Sequence, residues 1–302
     1  MTNSPDSIAS LSTGRSLKRK ASSKTVFNQV MTTLAFACAI LALIPLVAVI
    51  FYLLVNGLPR TLNLQVFTQL PPPPLQPSSP QFNLGGYGNA IAGTLITVGI
   101  ASLLSIPFGV LSAIYLSEFA RDTKIADAVN FCTNVLSGVP SIVMGVFAYG
   151  LIVLTTKSYS AMAAGFALAV LMLPTIVRTA TESLEAVSDD IRQASVGLGA
   201  TNYQTVLKVV LPAALPAVIT GVILSVARAA GETAPVIFTA LFNNFWNFDI
   251  REPTATLSVL VYNFAVTPYK NWQELAWSAG LVLVALVLAA NILSRWVSQR
   301  GK

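Results

Sequence analysis

Polar and apolar positions are sorted into long blocks along the chain. No charged residue lies between Lys24 and Arg60, between Arg60 and Glu118, or between Asp127 and Lys157. The stretches from Lys157 to Arg178, Lys208 to Arg228 and Glu274 to Arg295 are also free of charge. An α-helix needs about 20 apolar residues to cross the ~30 Å hydrocarbon core of a bilayer. Nearly every gap is long enough, so the pattern predicts an all-α, polytopic membrane protein with six transmembrane helices. They run from about Val26 to Val55, Asn89 to Ser117, Phe131 to Leu154, Tyr159 to Val177, Ala213 to Leu241 and Leu275 to Trp296. The second starts after a Gly85-Gly86-Tyr87-Gly88 break. A transmembrane barrel would show alternating segments of about ten residues, and the sequence has none.

Composition supports this reading. Charged residues are 10 % of the 302, against about 25 % in an ordinary soluble domain, while 54 % are hydrophobic. Too few charges remain to cover a soluble globule, and high hydrophobicity excludes wholesale disorder. There is no His and there are two Cys, which removes a His-based zinc site and a disulfide framework. Cys38 and Cys132 sit in apolar runs and are expected to be buried, reduced thiols.

The basic residues orient the bundle. Arg15, Lys18, Arg19, Lys20 and Lys24 precede the first span, and Arg121 and Lys124 follow the second. Arg178, Arg192 and Lys208 follow the fourth, and Arg295, Arg300 and Lys302 follow the sixth. The other side has only Arg60, Lys157, Arg251 and Lys270. The positive-inside rule then places both termini in the cytoplasm. The basic pI records this asymmetry and calls for no nucleic-acid partner. The first span is too long for a signal-peptide core and lacks a small-residue cleavage site, so it is expected to be retained.

Three regions are expected. Residues 1–25 form a disordered basic cytoplasmic tail. Residues 26–88 hold the first span and an extracytoplasmic loop stiffened by Pro71-Pro72-Pro73-Pro74. Residues 89–302 form the core, with a coupling segment at about 182–211. A second outer loop, Phe242 to Glu274, is rich in aromatics, which suit either an interfacial belt or a docking surface.

The cytoplasmic insert between spans four and five is too polar to cross and too patterned for a linker. Ser188 can cap a short helix with Asp189 and Asp190 in its first turn. Gly197 and Gly199 interrupt it, and Thr201-Asn202-Tyr203-Gln204 reads as a capping box. The second short helix is expected to end before Pro212. Within span five, Arg228 and Glu232 are the only charges well inside the membrane. An intramembrane arginine costs about 2.5–3.5 kcal/mol on insertion scales. Glu232, one turn on, either neutralises it or shares an ion pathway with it. The guanidinium is a permanently charged fork of donors suited to an oxyanion. Gly221, Ser225 and Ala229 on the same helix permit close packing. Pro140, Pro174 and Pro235 are candidate kinks.

Gln193-Ala194-Ser195-x-x-x-Gly199, nine residues, then Val209-x-Leu211-Pro212 resembles the EAA motif of ABC importer permeases. Gln193, Ser195 and Val209 depart from its Glu, second Ala and Ile, so a family carboxylate is missing at position 193. Ala227-Arg228-Ala229-Ala230-Gly231-Glu232-Thr233-Ala234-Pro235 resembles the A-R-x-x-G-E-T-A-P signature of PstA-type phosphate permease subunits. Ser137-Gly138-Val139-Pro140-Ser141 and Leu173-Pro174-Thr175 are similar to further pieces of that family.

The resemblance implies a type I ABC importer permease fold with cytoplasmic coupling helices, in the bacterial plasma (inner) membrane. It implies half of a phosphate pore working by alternating access, with Arg228, Glu232 and Arg178 on the substrate pathway. Asp189, Arg192, Gln193, Ala194, Gly199, Ala200, Thr201, Leu211 and Pro212 would couple to the ATPase. The implied partners are a second, PstC-type permease, a PstB-type ATPase dimer, a PstS-type phosphate-binding protein and the lipid bilayer. The chain has no G-x-x-x-x-G-K-S/T run, so it is read as a transport subunit and not an enzyme. No catalytic residue, metal or cofactor is expected in it; ATP and Mg would sit on the partner ATPase. A permease for phosphonate, sulfate or molybdate is the alternative. An ion-coupled carrier is disfavoured because no internal repeat is evident.

Overall fold

The computed structural model describes residues 23–74 and 85–300, with side chains described for 27–74 and 85–299. The expected disordered tail falls largely in residues 1–22, outside the described residues, as do 75–84 of the proline-rich loop. Among the described residues the regular structure is all helical. Among the described residues five helices are long and apolar enough to cross a membrane, or six if a pair bent by 103° counts as one span.

The chain divides into two units at Phe51 and Tyr52. The first holds most of helix α1 (Ser23–Thr61). Its apolar side chains from Phe27 to Phe51 are exposed around the helix, a pattern suited to lipid or to another chain.

The second unit is built on α2 (Gly88–Ile114) and α6 (Ala161–Glu185). These two pack most extensively of all pairs. The sequence permits this through small residues. A Cβ on Gly109 would lie 2.7 Å from Ile176 Cγ2, and one on Gly165 would lie 2.5 Å from Ile100 Cγ2. Ala161, Ala163, Ala164 and Ala167 are fully buried on α6. Helix association in membranes relies on such close approach. Helices α9 (Leu211–Gly231) and α12 (Lys270–Arg300) complete the bundle. Gly221 faces Thr179 of α6, and Ser225 and Ala229 are buried, as the small-residue stripe predicts.

Two spans and one helix of the insert need correction. The third span is not one helix. Helix α3 (Lys124–Gly138) meets α4 (Ser141–Ala148) at a 103° bend, because Gly138-Val139-Pro140 stops one helix and starts the next. A π turn (Tyr149–Val153) and the one-turn α5 (Leu154–Thr156) extend α4. The fifth span breaks after Gly231, and α10 (Ala234–Ala240) restarts with Pro235 in its first turn, where a missing N–H costs nothing. The second coupling helix does not end before Pro212. Helix α8 (Asn202–Thr205) runs through a π turn (Val206–Val210) straight into α9. That wide turn leaves Pro212 in the first turn of α9 and avoids the clash of a mid-helix proline.

The outer aromatic loop contains a helix that its composition concealed, α11 (Leu257–Ala265). Phe264 stacks on Trp272 at 4.5 Å and meets Phe242 edge-on at 5.7 Å, so these rings are core rather than belt. Phe245, Phe248 and Tyr262 are exposed. Trp272 Nε1 donates to the Pro72 carbonyl at 2.8 Å and Asn271 Nδ2 to that of Pro73 at 3.0 Å, which fixes the start of the proline run. Cys38 and Cys132 are both exposed, against the expectation of buried thiols. In a membrane chain an apolar neighbourhood in sequence does not imply a protein interior.

Candidate functional site

Apart from Arg178, the residues singled out in the sequence fall in two places, one on the polar insert and one at the break in span five.

The insert folds as α7 (Asp189–Gly197), a turn, and α8. Ser188 takes the N-cap position, yet its side chain makes no capping bond; Asp189 and Asp190 do occupy the first turn. The helix stops at Gly197, and Gly199 takes the left-handed conformation at φ +88°, which glycine adopts without strain. The capping box forms as read. Gln204 N donates to Thr201 Oγ1 at 3.3 Å, and Thr201 N donates to Gln204 Oε1 at 3.0 Å. Ser195 and Thr205 hydroxyls meet at 2.9 Å and tie the two short helices together.

Arg192 turns inward instead of outward. Its Nη2 donates to Glu118 Oε1 at 2.9 Å and its Nε to Glu118 Oε2 at 3.2 Å. Glu118 lies in a π turn (Tyr115–Phe119) that ends α2, and it is 6 % exposed. Nη2 also donates to the Leu184 carbonyl at 2.8 Å, and Nη1 to the Val187 carbonyl and to Asp189 Oδ1 at 3.2 Å. Asp189 is held from the other side by Arg121 at 3.1 Å. The hydrogen bonds to Glu118 raise the Arg192 pKa above the ordinary arginine value, helped by the Glu118 and Asp189 charges and opposed by burial. Sequence reasoning missed Glu118: it is 74 residues from Arg192, and only its place at the end of an apolar run marked it.

The outward face of the insert differs in character. Gln193, Ala194, Gly199 and Thr201 are exposed, as are the apolar Ile191, Val196, Leu198 and Tyr203. Ala200 and Leu211 are half-buried and Pro212 is exposed.

At the span-five break, Arg228 sits in the last turn of α9 and not at mid-helix as read from the sequence. The helix dipole favours a cation there. Glu232 is the C-cap residue, in extended conformation. Arg228 Nε lies 3.4 Å from Glu232 Oε1, with Arg228 63 % exposed and Glu232 16 %. Ser258 Oγ, from α11, donates to the Glu232 carbonyl at 2.9 Å and anchors the break. Arg178 joins neither this pair nor the insert. It pairs with Glu182 at 2.9 Å beside a polar cleft of about 290 Å³ lined by Asn130, Thr133, Asn134 and Thr181.

Residues 105–302 match the family described as "Binding-protein-dependent transport system inner membrane component". The chain belongs to this family. The matched part of this inner membrane component holds Arg192, Arg178, Arg228, Glu232 and the whole insert. It is 36 % identical over 268 residues to "Phosphate transport system permease protein PstA" of Pasteurella multocida, covering 89 % of this chain and 93 % of that one. It is 36 % identical to the protein of that name in Haemophilus influenzae, covering 91 % and 95 %. Against "Phosphate transport system permease protein PstA 1" of Mycobacterium tuberculosis (strain CDC 1551 / Oshkosh) the identity is 33 %, with 92 % of each covered. The fold is similar to a chain of the MetNI methionine ABC transporter in inward facing conformations (TM-score 0.58, 20 % identity, 70 % and 94 % covered). It is also similar to a chain of a bacterial alginate ABC transporter (TM-score 0.57, 16 % identity, 91 % and 97 % covered). The inner membrane component thus has the type I ABC importer permease fold that the insert motif implied.

Proposed function

We propose that this chain is the permease subunit of an ATP-driven importer of inorganic phosphate. The observation that carries the reading is the run of relatives named phosphate transport permeases, matched at 33–36 % identity along nearly the whole chain. The protein is a transport subunit, and ATP and Mg belong to a separate ATPase dimer of PstB type. A PstC-type permease supplies the other half of the pore, and a PstS-type binding protein delivers phosphate. Both termini are cytoplasmic, which agrees with the excess of basic residues on that side.

Arg228 is the residue of the pathway. A side chain 63 % exposed at membrane depth is far too costly against lipid, so its surface meets water or the second permease half. Its single bond to Glu232 leaves most guanidinium donors available to an oxyanion. Glu232 keeps the site from holding the anion too tightly, and Arg178 with its cleft forms a second pathway position. The ATPase is met by the outward face of the insert, with Gln193, Ala194, Gly199 and Thr201 at its surface. Closure of the ATPase dimer on ATP pushes this face and drives alternating access.

The test is uptake of labelled phosphate by the four-component complex in vesicles, with and without ATP. Uptake that needs ATP, and is lost in Arg228→Gln although the complex assembles, supports the reading. Normal uptake by Arg228→Gln removes the role of this arginine. ATP-driven transport of sulfate or molybdate in place of phosphate overturns the substrate.

A further inference from the structure

Arginine has five N–H donors in a planar fork. In Arg192 all five are used: two on Glu118, one each on the Leu184 and Val187 carbonyls, and one on Asp189. The acceptors come from three places. Glu118 is the π turn ending α2. Leu184 and Val187 belong to the last turn of α6 and the residues after it; the Leu184 carbonyl also accepts the Val187 N–H at 3.2 Å, so Arg192 is its second donor. Asp189 is the first turn of α7 itself. The side chain is 15 % exposed and Glu118 is 6 % exposed, so water cannot readily substitute for these bonds.

Helices α2 and α6 are also the most extensively packed pair in the molecule. One side chain on the insert therefore holds the ends of both central helices. The connection from α7 back to α6 is only the short stretch Ala186–Ser188, and on the other side α7 ends at Gly197 with Gly199 just beyond. Without Arg192, α7 would be held only by the exposed Arg121–Asp189 pair and the Ser195–Thr205 hydroxyl contact, and none of its remaining bonds would reach the end of α6.

We infer that the Arg192–Glu118 pair is the strut that carries displacement of α7 into the α2–α6 pair, so that both are positioning residues for transport. This rests on the proposed permease function. Lysine at position 192 keeps the charge but offers three donors from a point, and cannot span a carboxylate and two carbonyls together. Glu118→Gln keeps the shape and removes the charge.

The experiment uses the assembled complex in vesicles, with phosphate uptake and ATP hydrolysis measured on the same preparation. The phosphate moved per ATP is expected to fall roughly tenfold in Arg192→Lys, and by less in Glu118→Gln. A residue that only supports folding would lower uptake and hydrolysis together and leave their ratio unchanged. An unchanged ratio in both variants overturns the strut.

A second readout needs no transported substrate. Spin labels replace the exposed Leu111 on α2 and Leu198 beside α7, after Cys38→Ser and Cys132→Ser remove the exposed thiols. In the parent complex the distance should be narrow and the same with and without nucleotide. It should broaden or shift in Arg192→Lys. A distance that changes with nucleotide in the parent, or stays equally narrow in Arg192→Lys, overturns the inference. If the parent complex moves no phosphate at all, the proposed function fails while this distance still reports on the strut.

Discussion

Arg192 and Arg228 carry the same guanidinium and are used in opposite ways. Arg192 has five partners drawn from the ends of α2 and α6 and the start of α7, and little of it is exposed. Arg228 has one carboxylate at 3.4 Å and is mostly exposed. A saturated arginine has nothing left to offer a ligand, whereas an under-used one does. The insert end is fixed by its arginine, and the break at Glu232 is left with donors to spare.

The sharpest way to break this comparison is at Arg192. Arg192→Ala leaves the Glu118 carboxylate buried without its partner and strips two carbonyls of a donor. Removing one member of a buried pair costs about 3–5 kcal/mol. Arg192 retains some exposure, so about 3 kcal/mol is expected, read as a fall in the thermal unfolding midpoint of the purified subunit in detergent. A loss no larger than that of a surface substitution would mean the five bonds hold little. The capping box is a milder probe of the same end. Thr201→Ala should cost about 1 kcal/mol by the same measurement. Arg178→Gln removes an exposed one-turn ion pair with Glu182 and should cost about 0.5 kcal/mol or less.

The parts of this contrast that could be read in the sequence are local ones. The Thr201–Gln204 box, the Gly197 and Gly199 stop, and the small face of α9 each depend on residues a few positions apart, where spacing dictates geometry. The six-block charge pattern gave the bundle for the same reason. Helix breaks were less legible. Pro212, Pro174 and Pro235 look alike in sequence, yet Pro212 follows a π turn, Pro174 stays inside α6, and Pro235 opens a new helix. Which outcome applies depends on what packs nearby, as where Ser258 holds the Glu232 carbonyl. The Glu118–Arg192 contact was not legible, because it closes over 74 residues. Exposure of Cys38 and Cys132 was misjudged because hydropathy reports a preference for an apolar medium and does not distinguish lipid from protein.

Arg228→Gln should have the smallest effect on stability and sharpens the comparison most. The pair with Glu232 is long, in the less favoured Arg-before-Glu order, and exposed on the arginine side. Its loss, with the dipole contribution of the last turn, is worth about 0.5 kcal/mol. Relief from placing a cation in the membrane acts in the opposite direction. The net change in unfolding free energy should therefore lie within about 0.5 kcal/mol of zero. Phosphate uptake should nevertheless be lost. Arg228→Lys should be as stable and recover part of the uptake, since lysine keeps the charge without the bidentate fork. If Arg228→Gln instead destabilises the subunit as much as Arg192→Ala, Arg228 is a second structural arginine and the distinction between the two sites collapses.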